Sequence, residues 1–186
     1  MTLTHILPSL RASVPNPLGR DSWPEFTTTS IDDVTVAGVS LSCLAEWCST
    51  PCVHTAAAVI PGTGGMPSPT ETASVIVTRV IQLNTAADGA IDIWIDARLT
   101  GSPVVIGELR MIGRTSTASD ARARIHQAGE SVGALPVPEL VSDLRVGDLL
   151  AIPCQGATRL REVDPARRHL ADDDGESPWS AGVCGR

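Results

Sequence analysis

The segment AIDIWIDARL, residues 90–99, carries the side chains best suited to acid–base chemistry, because it alternates isoleucine with Asp92, Trp94 and Asp96. Alternate side chains of a strand face opposite sides, so the isoleucines share one face while the two acids and the indole share the other. If Trp94 and one carboxylate line a pocket, burial raises the pKa of that acid and makes it a usable proton donor. If the isoleucines line the core instead, the acids and the indole face solvent.

The chain further on supplies Glu108, Arg110 and Arg114, which the two-residue period of a strand places on a common face. These charges either join a ligand site or form surface ion pairs with the acids of the preceding strand. His126 falls in a later predicted strand and is either a structural histidine or a base. No catalytic Ser-His-Asp or Cys-His set can be assembled from the order of residues in the sequence alone. The catalytic candidates are Asp92, Asp96 and Glu108, and the substrate-binding candidates are Trp94, Arg110 and His126.

The segment SCLAEWCSTPCVHT gathers Cys43, Cys48, Cys52 and His54, which are residue types that bind zinc. Their spacing lacks the C-x-x-C pair that is typical of structural zinc sites. A disulfide is disfavoured in a reducing cytosol. We therefore expect free thiols, with a zinc site and a disulfide as the alternatives, and we predict no metal ion.

The composition excludes several reaction classes. The 14 basic residues are all arginine, and the sequence contains no lysine and no tyrosine. It therefore offers no amine for Schiff-base chemistry, for an internal aldimine with pyridoxal phosphate or for P-loop phosphate contacts, and we predict no cofactor. A net charge of −7 with scattered arginines does not suit a phosphate backbone, so we predict no nucleic-acid partner.

Length and hydropathy indicate one domain in the cytoplasm. The 186 residues suffice for a buried core. The sequence shows no basic start followed by an apolar run, and no apolar stretch of about 20 residues, the length that spans a bilayer. We therefore expect a cytoplasmic protein without membrane contact.

Turn-forming and β-branched residues predict a mainly β fold, since the sequence holds 16 glycines and 14 prolines. Residues 1–30 are polar and interrupted by prolines, which predicts an N-terminal arm with one helical turn at residues 6–10. The next predicted elements are a strand pair at Val34–Val36 and Val39, a helix Leu41–Cys48 capped by Ser40, and a strand that begins at Cys52.

A series of short strands predicts an antiparallel β-barrel that is closed or nearly closed. The predicted strands cover residues 73–83, 90–99, 104–114, 121–127 and 148–153. Residues 61–72 form a loop, and Asp88 and Gly89 form a hairpin turn. Residues 31–163 then make a single barrel domain, and residues 164–186 make a disordered tail because they mix charge blocks with small residues.

Two parts of the chain resemble a known family. The stretch THILPSLRASVPNPLGRDSWPE, followed by VAGVSLSCLAEWCSTPCVH, looks like the N-terminal segment of actinobacterial diaminopimelate decarboxylases, which belong to the group IV pyridoxal-phosphate decarboxylases. The stretches VVIGELRMIGRTSTASDARAR and LPVPELVSDLRVGDLLAIPCQGAT resemble the C-terminal β domain of these enzymes and of alanine racemases. The resemblance implies a small antiparallel β-barrel with one or two short helices.

The resemblance also implies a loss of chemistry. Where such a decarboxylase carries a catalytic barrel of about 250 residues, only residues 54–60 stand here. The family motif GRxCExGD falls on GRTSTASD, so Ser116 and Thr117 replace its Cys and Glu while Asp120 remains. The tyrosine of the family motif TGAY falls on Thr158. The chain thus resembles a decarboxylase β domain that has lost its barrel and its pyridoxal-phosphate chemistry.

Two hypotheses of function follow from this resemblance. A β domain without its partner domain exposes a face that must be refilled, capped or used for binding. Our first hypothesis is a domain that binds an apolar small molecule and acts as a cofactor-free cyclase or isomerase in actinobacterial natural-product biosynthesis, since such reactions need a shaped apolar pocket and few polar groups. The alternative is a non-catalytic regulatory or scaffolding partner of a full-length decarboxylase-like enzyme. A homodimer favours the first hypothesis, and pairing with a decarboxylase-like enzyme favours the second.

Overall fold

The computed structural model describes residues 3–128 and 133–166, and its fold is mainly β, as predicted. The strands are β1 Thr28–Thr29, β2 Val34–Val36, β3 Val39–Ser40, β4 Cys52–Val59, β5 Pro67–Thr85, β6 Ile91–Ile95, β7 Arg110–Ile112, β8 Asp120–His126, β9 Leu135–Val141 and β10 Leu149–Cys154. The α-helices are α1 Leu3–Ile6, α2 Leu41–Cys48 and α3 Leu160–Val163. Among the described residues, none of the helices has the length and apolar character needed to cross a membrane. The predicted tail lies outside the described residues from residue 167 onward.

Seven strands form one sheet that curls into a half-barrel. Its order is β7-β10-β5-β6-β8-β9, with β4 also paired to β5, while β1, β2 and β3 form a separate small sheet. The curl arises in β5, which runs for 19 residues. Its first part pairs with β4 and β10 and its last part pairs with β6, so one strand bends from one half of the sheet into the other.

One strand pair differs from the predicted antiparallel arrangement. β6 and β8 run parallel, with Ile91 opposite Ala123 and Trp94 opposite His126. The connection between them includes β7, which lies at the far end of the sheet next to β10. Because the chain crosses to that end and returns before it starts β8, the two strands point the same way.

Two hydrophobic cores cover the two faces of the central strands. Inside the curl, Ile76, Ile93 and Ile125 pack together and are at most 1% exposed. On the other face, Val75 and Val77 of β5 pack against the N-terminal part of the chain. A strand that is buried on both faces needs apolar residues at consecutive positions, which explains why Val75, Ile76 and Val77 follow one another in β5.

The first predicted elements agree with the structure. β2 and α2 begin and end where predicted, and β3 begins at Val39 as predicted but includes Ser40. Ser40 caps α2 because its Oγ accepts a hydrogen bond from Cys43 N at 3.2 Å. Asp88 and Gly89 form the predicted turn between β5 and β6, with Ala86 N donating to Ala90 O at 2.9 Å.

Two predicted segments need correction. Of the predicted strand 104–114, only Arg110–Ile112 form a strand, β7, and a 3-10 turn, Ile106–Glu108, precedes it. Residues 67–72 of the predicted loop belong to β5. β9 was not predicted, because Pro136 and Pro138 interrupt its apolar pattern; it is an edge strand, where proline is tolerated since one side needs no hydrogen bonds.

Candidate functional site

Three of the six predicted site residues lie together on the outer face of β6 and β8. Asp92 Oδ1 lies 3.2 Å from His126 Nε2 and accepts a hydrogen bond from Arg124 Nε at 2.8 Å. The rings of Trp94 and His126 stack with centroids 4.3 Å apart and planes 10° apart. The parallel pairing of β6 with β8 produces this arrangement, since it sets Asp92 opposite Arg124 and Trp94 opposite His126. The isoleucine face of β6 lines the core, with Ile93 and Ile95 fully buried.

Asp92 is not suited to donate a proton. The hydrogen bond from His126 lowers the pKa of Asp92, burial partly opposes this, and Arg124 lowers the pKa further. The side chain is therefore a carboxylate at neutral pH, and the raised pKa proposed for a buried proton donor is wrong for this acid. Its carboxylate instead orients the imidazole of His126 and holds Arg124 in an ion pair.

Asp96 lies at the end of β6 and ties three parts of the chain together. Its Oδ2 accepts a hydrogen bond from Thr50 Oγ1 at 2.5 Å, and its Oδ1 accepts from Thr78 Oγ1 at 2.6 Å and from Arg79 N at 2.9 Å. Thr78 is fully buried, and its Oγ1 also accepts from Ala97 N at 3.2 Å. This network joins the segment before β4, the middle of β5 and the end of β6, which is a structural role.

Glu108 and Arg110 hold the N-terminal arm against the half-barrel. Glu108 Oε2 accepts hydrogen bonds from Gly19 N at 3.1 Å and from Trp23 Nε1 at 3.4 Å. Arg110 Nη2 donates to Pro17 O at 3.0 Å and lies 3.3 Å from Glu108 Oε2. Within the part of the chain that the structure describes, these charges form no ion pair with Asp92 or Asp96, which was one of the two alternatives considered for them.

Arg114 belongs to a different cluster from the one predicted. It forms two hydrogen bonds with the Asp148 carboxylate, at 2.9 and 2.7 Å, and contacts Asp143. Burial alone would raise the pKa of Asp143, but hydrogen bonds from Ser116 and Arg114 outweigh it and lower that pKa.

The positions aligned with the family motifs have structural contacts. Ser116 Oγ, at the position of the family cysteine, donates to Asp143 Oδ1 at 2.5 Å. Asp120 accepts a hydrogen bond from Arg11 Nη2 at 2.5 Å. Thr158 is buried, and its backbone N donates to Ser74 Oγ at 2.9 Å. These contacts fix the β9–β10 connection, the arm and the end of β10 in place.

The cysteine-rich segment does not gather its side chains into one site. Cys43 and Cys48 are exposed on α2, whereas Cys52 is buried in β4, and all three are free thiols, as is the buried Cys154. Burial raises the pKa of Cys52 and of Cys154 to about 11, so both are protonated at neutral pH and are poor nucleophiles. Within residues 3–128 and 133–166, no group of three or more His, Cys, Asp or Glu side chains could hold a metal ion.

A mainly apolar cleft opens where the arm meets the hairpin of β4 and β5. Its volume is about 510 Å³, which is in the range of small-molecule sites. We call it the Trp23 cleft. Its lining consists of Asp21, Ser22, Trp23, Ala58, Val59, Ile60, Pro61, Ser68, Glu71, Thr72, Ala73, Cys154, Gln155 and Gly156.

Trp23 forms the fixed wall of this cleft. Its side chain is 1% exposed, and the hydrogen bond to Glu108 holds the indole in one orientation. Val59 and Ala73 are buried beside it, while Ile60 is 37% exposed at the rim. Asp21 and Glu71 are exposed carboxylates of the same lining, and Asp21 Oδ2 accepts from Gly62 N at 3.0 Å. The cleft therefore offers apolar walls with two ionisable groups at its edge.

Sequence reasoning missed the Trp23 cleft. None of the six predicted site residues belongs to its lining in the described chain, although Glu108 contacts it through Trp23. The cleft forms between segments that are far apart in sequence, so no local pattern marks it. The one usable signal was a tryptophan in a proline-rich arm, because an arm without a core of its own places such a large apolar side chain against the domain.

Comparisons with known proteins find a partial structural likeness. No family model matches the chain, and no curated protein sequence gives a significant match. Among solved structures, the chain is similar to the arginine decarboxylase of Paramecium bursaria Chlorella virus, both with bound agmatine and in a second crystal structure. Each match has 19% sequence identity and a TM-score of 0.35, and covers 45% of this chain. The match spans 25% of the viral enzyme, so the likeness concerns part of a decarboxylase fold and carries no argument about activity.

Proposed function

We propose that this chain binds an apolar small molecule in the Trp23 cleft. The observation that supports the proposal is the cleft itself. Its volume is about 510 Å³, and its lining includes Trp23, Val59 and Ala73. Ligand sites of this size are lined mainly by apolar side chains, and a few polar groups set the orientation of the ligand. Asp21, Glu71 and Gln155 are among the polar groups of the lining.

The reaction that we propose is a cofactor-free cyclisation or isomerisation. The sequence contains no lysine, so it offers no amine to pyridoxal phosphate, and no step is assigned to that cofactor. The walls would hold the ligand in a reactive conformation. Asp21 or Glu71 would remove a proton from one carbon of the ligand, and the carboxylic acid so formed would return it to another carbon, so that a double bond moves and no proton is gained or lost overall.

Glu108 has a positioning role in this proposal. It does not line the cleft, but it accepts the Trp23 Nε1 hydrogen bond and the Gly19 N hydrogen bond. Glu108→Gln removes the charge and keeps the shape of the side chain. We expect it to raise the Nile red Kd several-fold and to shift the indole N–H NMR signal of Trp23, whereas a residue that only stabilised the fold would lower the unfolding midpoint and leave the Kd unchanged.

The test of binding is a fluorescence titration with Nile red, a neutral apolar dye. Ile60→Asp places a charge at the rim of the cleft, and Ile81→Asp makes the same change at an exposed position of β5 that is not part of the lining. We expect the Kd to rise at least tenfold, or about 1.4 kcal/mol, in Ile60→Asp and to stay within twofold in Ile81→Asp. Equal effects of the two substitutions would contradict the assignment of the site.

The test of chemistry uses a linear polyene substrate and chromatography of the products. An isomerase or cyclase gives a product of the same mass with a new retention time. Asp21→Asn together with Glu71→Gln should abolish product formation and leave the Nile red Kd within a few-fold of the wild type. Binding without conversion of any polyene would refute the reaction and leave the binding proposal standing.

The alternative proposal is a non-catalytic partner of a full-length decarboxylase-like enzyme. Size-exclusion chromatography of the chain, alone and mixed with such an enzyme from the same source, separates the two proposals. A shift of both proteins into one peak supports the partner role. Separate elution, combined with saturable Nile red binding, supports the ligand-binding role.

A further inference from the structure

A second and more polar pocket lies at the seam of the half-barrel. The sheet begins at β7 and ends at β9, and these two edge strands approach each other; they are not paired in the described part of the chain. A pocket of about 80 Å³ opens at this seam, bounded by Arg110 of β7, Leu140 of β9 and Arg11 of the N-terminal arm. It shares no lining residue with the Trp23 cleft in the described chain.

Two largely buried guanidinium groups meet at the seam pocket. Arg11 is 5% exposed, and it donates to Ala118 O at 3.0 Å and to Asp120 Oδ2 at 2.5 Å. The side chain of Arg110 is 21% exposed and bonds through its Nη atoms to Leu109 O, Pro17 O and Glu108. The Nε atom of each arginine is buried and has no hydrogen-bond partner among the described residues. A buried donor without a partner destabilises a protein.

The two arginines also act on each other electrostatically. Burial is the main influence that lowers the pKa of Arg110; the charges of Glu108 and Asp120 raise this pKa, and the positive charge of Arg11 lowers it. Arg11 and Arg110 are therefore close enough to repel. An anion placed between them reduces this repulsion and accepts hydrogen bonds from both groups.

We propose that the seam pocket binds the carboxylate group of a small molecule between Arg11 and Arg110. The planar fork of a guanidinium matches the two oxygens of a carboxylate, and a volume of about 80 Å³ suits a molecule of a few heavy atoms. Arg114 also lines the pocket, together with the carboxylates of Asp32, Asp33, Asp120 and Glu139. Their negative charges repel a doubly charged phosphate more strongly than a singly charged carboxylate, so the pocket favours a monocarboxylate.

The test is an NMR titration of the ¹⁵N-labelled protein that follows the arginine Nε–Hε signals. Sodium acetate is the probe, and sodium chloride keeps the ionic strength constant. We expect saturable shifts of two signals, one of which is absent from Arg110→Gln. The acetate Kd should rise at least tenfold in Arg110→Gln and stay within twofold in Arg122→Gln, which removes the same charge at an exposed position of β8.

A second variant distinguishes a direct loss of acetate binding from a displacement of the N-terminal arm. The indole N–H signal of Trp23 reports whether the arm stays docked in each variant. If Arg110→Gln moves that signal, Arg110→Lys decides the question, because it keeps the charge and removes the fork; we expect it to weaken acetate binding at least fivefold. Methylammonium chloride should cause no saturable shift, and phosphate should bind more weakly than acetate. Three results would each overturn the proposal: no saturation with acetate, equal effects of acetate and chloride, or tighter binding of methylammonium.

Discussion

Asp96→Ala gives the sharpest test of the contacts that hold the half-barrel together. The substitution removes an acceptor of three hydrogen bonds, from Thr50 Oγ1 at 2.5 Å, Thr78 Oγ1 at 2.6 Å and Arg79 N at 2.9 Å. Hydrogen bonds to a charged group contribute about 1.5–3 kcal/mol each, and such contributions are not additive. Because water can reach the partly exposed site and replace some of the bonds, we expect a loss of about 3–4 kcal/mol in the free energy of unfolding.

The assay is urea unfolding at neutral pH. The slope of the free energy of unfolding against urea concentration should be the same in all variants, which checks that each exposes the same surface on unfolding. Asp88→Ala is the control, because Asp88 is 55% exposed, forms an ion pair with Arg124 at 3.2 Å and accepts one backbone hydrogen bond, from Ala90 N at 3.2 Å. An exposed ion pair contributes about 0.2–1 kcal/mol and a hydrogen bond about 0.5–1.5 kcal/mol, so this variant should lose no more than about 2 kcal/mol. Asp96→Asn keeps one acceptor oxygen, so its loss in the free energy of unfolding should lie between those of Asp88→Ala and Asp96→Ala. A loss below about 1 kcal/mol for Asp96→Ala would refute the structural role, since even one bond to a charged group exceeds it.

The remaining predictions concern pH, thiol reactivity and the outer face of the sheet. The folded pKa of Asp92 lies below its ordinary value of 3.8, so its stabilisation is present above that value and is lost as the pH falls through the folded pKa. Between about pH 5 and pH 3, the wild type should therefore lose more stability in urea unfolding than Asp92→Asn does; equal losses would contradict the ion cluster. Mass spectrometry with iodoacetamide at neutral pH should show Cys43 and Cys48 modified well before the two buried cysteines, and the opposite order would contradict the burial of β4 and β10. Trp94→Ala should leave the Nile red Kd within twofold, because its indole is not part of the Trp23 cleft; a tenfold increase would move the site to the outer face.

Elements with local signals could be predicted from the sequence. Ser40 caps α2 through a hydrogen bond three residues away, and Asp88 and Gly89 turn the chain within four residues. The alternating pattern of β6 allowed either face of the strand to point to the core, and the structure shows that the isoleucine face does so. These features depend on residues near one another in the chain, which is why they could be predicted from a single sequence.

Features that depend on strand pairing could not be predicted. The cluster of Asp92, Trp94 and His126 exists because β6 and β8 pair in parallel in one register, and no local pattern specifies that pair. Glu108 and Arg110 were expected on a strand facing the acids of β6, but the chain forms a turn there and directs both toward the arm. The arm lacks the periodicity of a strand or helix, so its contribution to both pockets was not visible in the sequence.

The most direct measurement of the central proposal is a crystal structure of the protein grown with Nile red or a linear polyene. We predict electron density for the ligand between Trp23 and Ile60, with Ala73 beneath it and Asp21 or Glu71 within reach of its end. The same crystals of Ile60→Asp should show no such density. Density on the stacked pair of Trp94 and His126, or a Trp23 cleft without density at saturating ligand, would contradict the proposal.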